Sequence, residues 1–221
     1  MKLSERVLQL KPSATLAISA KAQELKSQGK DILSLSVGEP DFPTPEYICM
    51  AAKNAVDAGF TRYTPVPGLP GARKAASDYF NRRYGADSGP EHIIIGNGGK
   101  QCLYNLCQAL LNPGDHVLIP APYWVSYPPL VELAGGKPVI IATSAEKKFK
   151  VSVSDLEKSL TPKTRALLLN SPSNPTGVCY GKEELDAIGQ WAVDKNVGVI
   201  ADELYDRLVY GGAPSMSLCS W

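Results

Sequence analysis

Residues 165–205 read RALLLNSPSNPTGVCYGKEELDAIGQWAVDKNVGVIADELY. An apolar run at 165–170 passes through a loop of Ser, Pro, Asn and Gly, then a helical pattern at 182–195, and ends in a second apolar run at 197–201. Short runs rich in branched residues predict strands of a sheet that is covered on both faces. A helix between two such strands makes them parallel, because a tight turn joins only antiparallel neighbours. The same unit repeats upstream. Residues 92–95, 116–120 and 138–142 predict further strands, and residues 100–111, 124–133 and 154–160 the helices between them. Asn112-Pro113-Gly114-Asp115 and Ala134-Gly135-Gly136 stop the helices. The expected fold class is α/β: a mostly parallel, doubly wound sheet with helices on both faces.

Toward the N-terminus the pattern is less regular. A helix is predicted over 13–29, with Ser13 or Thr15 as cap and Gly29 as stop, and a short strand over 32–35. Gly38-Glu39-Pro40-Asp41-Phe42-Pro43 forms a loop long enough to cover a site. Thr44-Pro45-Glu46 starts a helix with Pro at its first position, which runs to Ala58; an irregular stretch over 63–68 and a helix over 72–84 follow.

Composition narrows the function classes. The chain has 221 residues, 44% of them hydrophobic, with 23 basic and 22 acidic groups. That suits one globular domain of good size, or a domain plus a fragment, and gives no electrostatic case for nucleic acid or an anionic membrane. No apolar run reaches the roughly 18 residues of a spanning helix. The charged N-terminus MKLSERVLQL lacks the apolar core of a signal peptide, so a cytoplasmic protein is expected. Five cysteines (Cys49, Cys102, Cys107, Cys179, Cys219) are an odd number without a C-x-x-C pair. They predict neither a disulfide framework nor a metal site, and most are expected to be buried thiols. His92 and His116 each begin an apolar run and are expected simply to start strands.

In an open parallel sheet, ligands bind outside the carboxyl ends of the strands. Four polar loops fall there: Gly98-Gly99-Lys100, Tyr123-Trp124, Asn174-Pro175-Thr176-Gly177 and Asp202-Glu203-Leu204-Tyr205. Each has two explanations. Gly98-Gly99-Lys100 is either an anion site at a helix N-terminus or a tight glycine turn. It is not a P-loop, since Gln follows Lys100, nor a dinucleotide fingerprint, since Gln101 takes the third glycine position. Asp202 is either a helix cap or a poorly solvated carboxylate that needs a cationic partner. Trp124 packs in the core or stacks on a flat ligand. Asn174 belongs to a turn that needs Pro and Gly but not Asn. Together they supply N–H groups for an anion, an indole, an amide, a carboxylate and a phenol, the inventory for a planar, phosphorylated, cationic heteroaromatic cofactor.

These motifs, with Tyr63-Thr64-Pro65, Ala121-Pro122-Tyr123-Trp124-Val125-Ser126-Tyr127-Pro128 and Asn170-Ser171-Pro172, resemble the class I/II aminotransferases, and the bacterial-type aspartate aminotransferases most closely. The resemblance runs from about Ser4 to the end of the chain. It implies a fold type I, pyridoxal 5′-phosphate-dependent enzyme, usually a homodimer, that moves an amino group between an amino acid, here aspartate or glutamate, and a 2-oxo acid. Other pyridoxal phosphate reactions, β-elimination or an aminocyclopropane-carboxylate-forming lyase, stay open, as does a non-enzymatic remnant.

Position by position, the resemblance implies that Gly98, Gly99 and Lys100 hold the phosphate, Trp124 stacks on the ring and Asp202 pairs with the ring nitrogen. Asn174 and Tyr205 take the ring hydroxyl oxygen, and Tyr63 reaches the phosphate of the neighbouring subunit. Gly38, Lys100, Trp124 and Asn174 line the substrate side, with Gly38 near the α-carboxylate and Lys100 toward a distal carboxylate. Residues 1–44 would be an arm and small-domain segment, and 45–221 a large cofactor domain incomplete at its C-terminus. The resemblance also places the Schiff-base lysine beyond Trp221, so this chain alone is expected to be inactive.

Overall fold

The computed structural model describes residues 2–10, 14–35, 38, 40–212 and 216–220. It divides into two compact units, residues 1–65 and 66–221. The cap expected at Ser13 and the Glu39 of the loop lie outside the described residues.

The first unit holds α1 (Glu5–Leu8), α2 (Ala14–Ser27) and α3 (Glu46–Asp57). Thr15 falls inside the first turn of α2 rather than at its cap, and Pro45 stands at the N-cap of α3, one position earlier than expected. Residues 32–35 form no strand; Leu33 and Leu35 are exposed. An extended segment becomes a strand only when another offers its backbone groups, and among the described residues of this unit no strand exists to do so.

The second unit is a parallel sheet of β1 (His116–Pro120), β2 (Lys137–Ile141), β3 (Thr164–Asn170) and β4 (Gly198–Asp202), in the order β2-β1-β3-β4. Side chains alternate between its faces as the strand period of two requires. Val117, Ile119, Ala166, Leu168 and Ile200 pack on one side with Leu103 and Cys107 of α5 (Gly99–Leu110) and Leu130 and Val131 of α6 (Tyr127–Leu133). Leu118, Leu167 and Leu169 pack on the other with Leu156 of α7 (Val153–Ser159) and Leu185, Ile188 and Trp191 of α8 (Lys182–Lys195). The two-sided cover expected of a doubly wound sheet is present.

Three expectations fail here. Residues 92–95 form no strand: a 3-10 turn covers Pro90–His92, and the chain after it is extended but unpaired in any sheet. Its backbone groups find partners elsewhere, Ile95 N–H donating to Pro67 O and Arg73 Nε to Ile93 O, both at 2.9 Å. Helix α6 begins at Tyr127, not Trp124. Pro128 and Pro129 carry no N–H and are tolerated in a first turn but not further in, which sets the start and leaves Trp124 in the preceding turn. α4 (Pro70–Tyr84) begins two residues before its expected start for the same reason, with Pro70 in its first turn.

Candidate active site

Three of the four predicted loops leave the C-terminal ends of neighbouring parallel strands. Asn170, the last residue of β3, lies in register with Asp202, the last of β4. The polar residues there are joined by a continuous run of contacts. Lys100 Nζ stands 4.9 Å from the centre of the Trp124 ring. Trp124 meets Tyr127 edge to face at 5.5 Å. The Tyr127 hydroxyl donates to Asp202 Oδ2 at 2.7 Å, and Leu204 N–H donates to Asp202 Oδ1 at 3.2 Å. Asn170 Nδ2 donates to Asp202 O at 2.8 Å, while its Oδ1 accepts from Asn174 N–H at 2.6 Å. Lys100, Trp124, Asp202 and Asn174 are thus brought into one cluster. Tyr205 lies in the turn after β4, and its phenol helps raise the pKa of Tyr127. Gly38 and Tyr63 belong to the first unit, where both are exposed.

The turn into α5 has the form of an anion cradle. Gly98 takes φ +88° and ψ 158°, a conformation open to glycine, and a Cβ at Gly98 or Gly99 would meet nothing within 4 Å. The first intrahelical bonds run from Gln101 and Cys102 to Gly98 O. The N–H groups of Gly99 and Lys100 come before them and have no acceptor among the described residues. Exposed N–H groups at the positive end of a helix dipole suit a phosphate. Asn97 N–H is taken instead by Gln101 Oε1, which closes the turn from its other side.

Sequence reasoning passed over two residues that organise this cluster, Tyr127 and Asn170. Tyr127 is 1% exposed. Burial first, then the nearby Asp202 carboxylate that it hydrogen-bonds, pushes its phenol well above the usual range, so it remains a donor. Locally, Tyr127 stands three residues after Trp124 and directly before Pro128-Pro129, which marks a helix start but not the partner of the residue there. Asn170 was readable only as the end of a strand, because its two partners come from different loops.

The rest of the expected inventory is structural. His92 Nδ1 accepts from Gly89 N–H at 3.2 Å, and His116 Nδ1 meets Thr161 Oγ1 at 2.9 Å. Among the described residues no cluster of His, Cys, Asp or Glu could hold a metal. Of the cysteines only Cys107 is buried; Cys49 and Cys179 are half-buried and Cys102 and Cys219 exposed. The buried-thiol expectation therefore holds for one residue, Cys107.

Comparison with known proteins follows this geometry. The family "Aminotransferase class I and II" matches residues 30–220. The aspartate aminotransferase of Bacillus sp. (strain YM-2) is 47% identical over 216 residues, which cover 98% of this chain and 55% of that protein. A probable aspartate/prephenate aminotransferase of Rhizobium leguminosarum bv. phaseoli is 49% identical over 210 residues, 95% of this chain and 52% of that one. The solved structure of Thermus thermophilus aspartate aminotransferase with maleate superposes with a TM-score of 0.96 at 45% identity, over 100% of this chain and 57% of that chain. The chain spans about half the length of the curated relatives that it matches.

Proposed function

The chain belongs to the class I and II aminotransferases, and from that premise we propose that it is the cofactor-binding part of an enzyme moving an amino group between an amino acid and a 2-oxo acid. One observation carries this reading: a half-buried carboxylate at the end of the parallel strand β4, Asp202, held by a donor on each oxygen and lying in contact sequence with an indole. A carboxylate so placed calls for a cation, and a protonated ring nitrogen is one. The open Gly98-Gly99 turn with two free N–H groups fits the phosphate of the same molecule, so the residues present fit pyridoxal 5′-phosphate.

When bound, that group supplies an electron sink for the pair left on the amino acid α-carbon. The work of this chain is to hold it. Gly98, Gly99 and Lys100 bind the phosphate through backbone groups, the Trp124 indole orients the ring by stacking, and Asp202 keeps the proton on the ring nitrogen. Asn174 and Tyr205 position the ring hydroxyl oxygen. The Lys100 ammonium, already above the Trp124 ring, receives the distal carboxylate of aspartate or glutamate, a role supported by the dicarboxylate maleate in the Thermus thermophilus structure.

The exposed Tyr63 is free to reach the phosphate site of a second subunit, which supports a homodimer. A cytoplasmic location is part of the same proposal; no helix among the described residues is long and apolar enough to cross a membrane. We retain the division into an arm and small-domain segment at 1–44 and a cofactor domain at 45–221. The 221 residues alone are expected not to transaminate, since no lysine of the chain sits in a motif that could form the Schiff base; Lys182 and Lys195, on α8, are engaged in ion pairs with Asp186 and Glu157.

The test is to supply the full-length protein with pyridoxal 5′-phosphate, aspartate and 2-oxoglutarate and to follow glutamate and oxaloacetate. Their equal formation is expected, with a loss of at least about a hundredfold in Asp202→Ala. With an amino acid that bears a leaving group on its β-carbon offered instead, formation of ammonia and pyruvate, with no glutamate formed in either assay, would replace transamination by elimination chemistry.

A further inference from the structure

Tyr127 has more contacts with the candidate site than a core tyrosine needs. A buried phenol is satisfied by any backbone carbonyl. This one donates instead to a half-exposed carboxylate that carries the proposed chemistry, and its ring is braced by the indole proposed to carry the cofactor ring. Asp202 Oδ1 accepts from Leu204 N–H, so two donors from different elements define the plane of the carboxylate. Each oxygen has a second acceptor site, since an ionised carboxylate offers about four. Asn170 fixes the backbone beneath through Asp202 O, which leaves side-chain rotation as the freedom that Tyr127 removes.

We propose that Tyr127 is the positioning residue for the ring-nitrogen partner: its hydroxyl holds the Asp202 carboxylate in one orientation and keeps the shared proton on the ring nitrogen rather than on the carboxylate. This rests on the reading of the site as a pyridoxal 5′-phosphate cradle. The physical reason is a competition for one proton. In an N–H···O pair the proton rests with the stronger base, and a carboxylate that already accepts a hydrogen bond from a phenol is the weaker for it. Removing that donor leaves the carboxylate with more negative charge to offer, so the proton moves toward it and the ring loses its cationic character. No bond to carbon is made or broken in this step; one proton changes its residence within an existing hydrogen bond. Because Tyr127 and Trp124 lie three residues apart in one segment and in contact, the same brace ties the ring platform to the carboxylate.

The experiment uses the full-length protein loaded with pyridoxal 5′-phosphate labelled with 15N at the ring nitrogen. In the unaltered protein the ring-nitrogen signal is expected in the protonated region; a failure to bind the cofactor, or an unprotonated signal there, would sink the reading of the site itself. With that reading standing, Tyr127→Phe is expected to retain the cofactor, to shift the signal toward the unprotonated region and to lower kcat about tenfold with KM changed less than about twofold. A signal and kcat equal to those of the unaltered protein overturn the proposal, and so does a lowered melting temperature with an unmoved signal, the mark of a purely packing role. If Tyr127→Phe does not fold, 3-fluorotyrosine at position 127 keeps the shape and strengthens the donor. The signal must then move the opposite way, and its failure to move overturns the proposal equally.

Discussion

His92-Ile93-Ile94-Ile95 and His116-Val117-Leu118-Ile119 are nearly the same peptide in two different fates. In the second, Val117, Leu118 and Ile119 are each 0% exposed, and the strand pairs with β2 on one side and β3 on the other. In the first, Ile94 is 74% exposed and the backbone borrows its partners from a proline carbonyl and an arginine side chain. Apolar, branched residues make either segment willing to extend; only a neighbouring strand to pair with makes one of them a strand. β-propensity measures fit to a half-buried pleated surface, and where no such surface is offered it decides little.

The largest difference between the two segments is energetic. Leu118→Ala should cost about 3 kcal/mol, the usual penalty for emptying a filled core position, whereas Ile94→Ala should change stability by less than about 0.5 kcal/mol. Urea unfolding of both variants measures this, and similar losses would break the comparison. Alkaline titration then probes how tightly the paired region is closed. Tyr180, on the α8 side, accepts Val151 N–H, and burial pushes its phenol from 10.0 up to about 12. A raised pKa means that the folded state keeps a proton which the unfolded chain gives up. The contribution is therefore complete below about pH 10 and lost as the pH rises to about 12, to the extent of about 3 kcal/mol. Tyr180→Phe should flatten that part of the stability profile; an unchanged slope would mean that the sheet opens around Tyr180 without unfolding.

A smaller effect tests the loose segment directly. Gly68 holds φ +106°, and a Cβ there would fall 2.8 Å from the Cβ of Ile95. Gly68→Ala should cost about 1–2 kcal/mol and increase hydrogen exchange at Ile95, whose N–H depends on Pro67 O. Unchanged exchange would show that Pro67 is not what holds Ile95. Smallest is the cap of α7, where the Ser152 hydroxyl and Lys147 draw the Asp155 carboxyl down from 3.8 to about 2. Ser152→Ala should cost about 1 kcal/mol at neutral pH. For a depressed carboxyl the stabilisation is present above about pH 4 and fades toward about pH 2, so the variant's deficit should fade over the same range.

The exposed edge of β4 belongs to the same contrast. Strand β4 pairs only with β3, and its Ala201 is exposed. An open strand edge, together with the exposed Ile94 and Ile95, invites association, and the 221-residue chain in isolation is expected to aggregate on concentration. Light scattering that shows a clean monomer with cooperative unfolding would count against this.

Much of the second unit was legible along the chain. The apolar runs at 116–120, 165–170 and 197–201 were legible because each is bounded by clear stops, and each found a neighbouring strand to pair with. The helix expected at 182–195 matches α8, Lys182–Lys195. Position, however, came easier than partnership. Asp202, Trp124 and Asn174 could be singled out because polar residues directly after buried strands are conspicuous. Tyr127 could not, because a tyrosine beside two prolines in an apolar helix reads as packing until Asp202, far along the chain, is known to lie 2.7 Å away.

By itself the sequence determined the period, the order and the punctuation: alternating strands and helices, glycines where an anion would sit, and polar residues where strands end. Those properties are local, written in neighbouring residues and the backbone angles they favour. Only the tertiary structure decided which extended segments became strands, and that Tyr127 and Asn170 hold Asp202 from two sides. Each of these depends on a partner distant along the chain, and a hydrogen bond or a strand pairing exists only once both partners are in place.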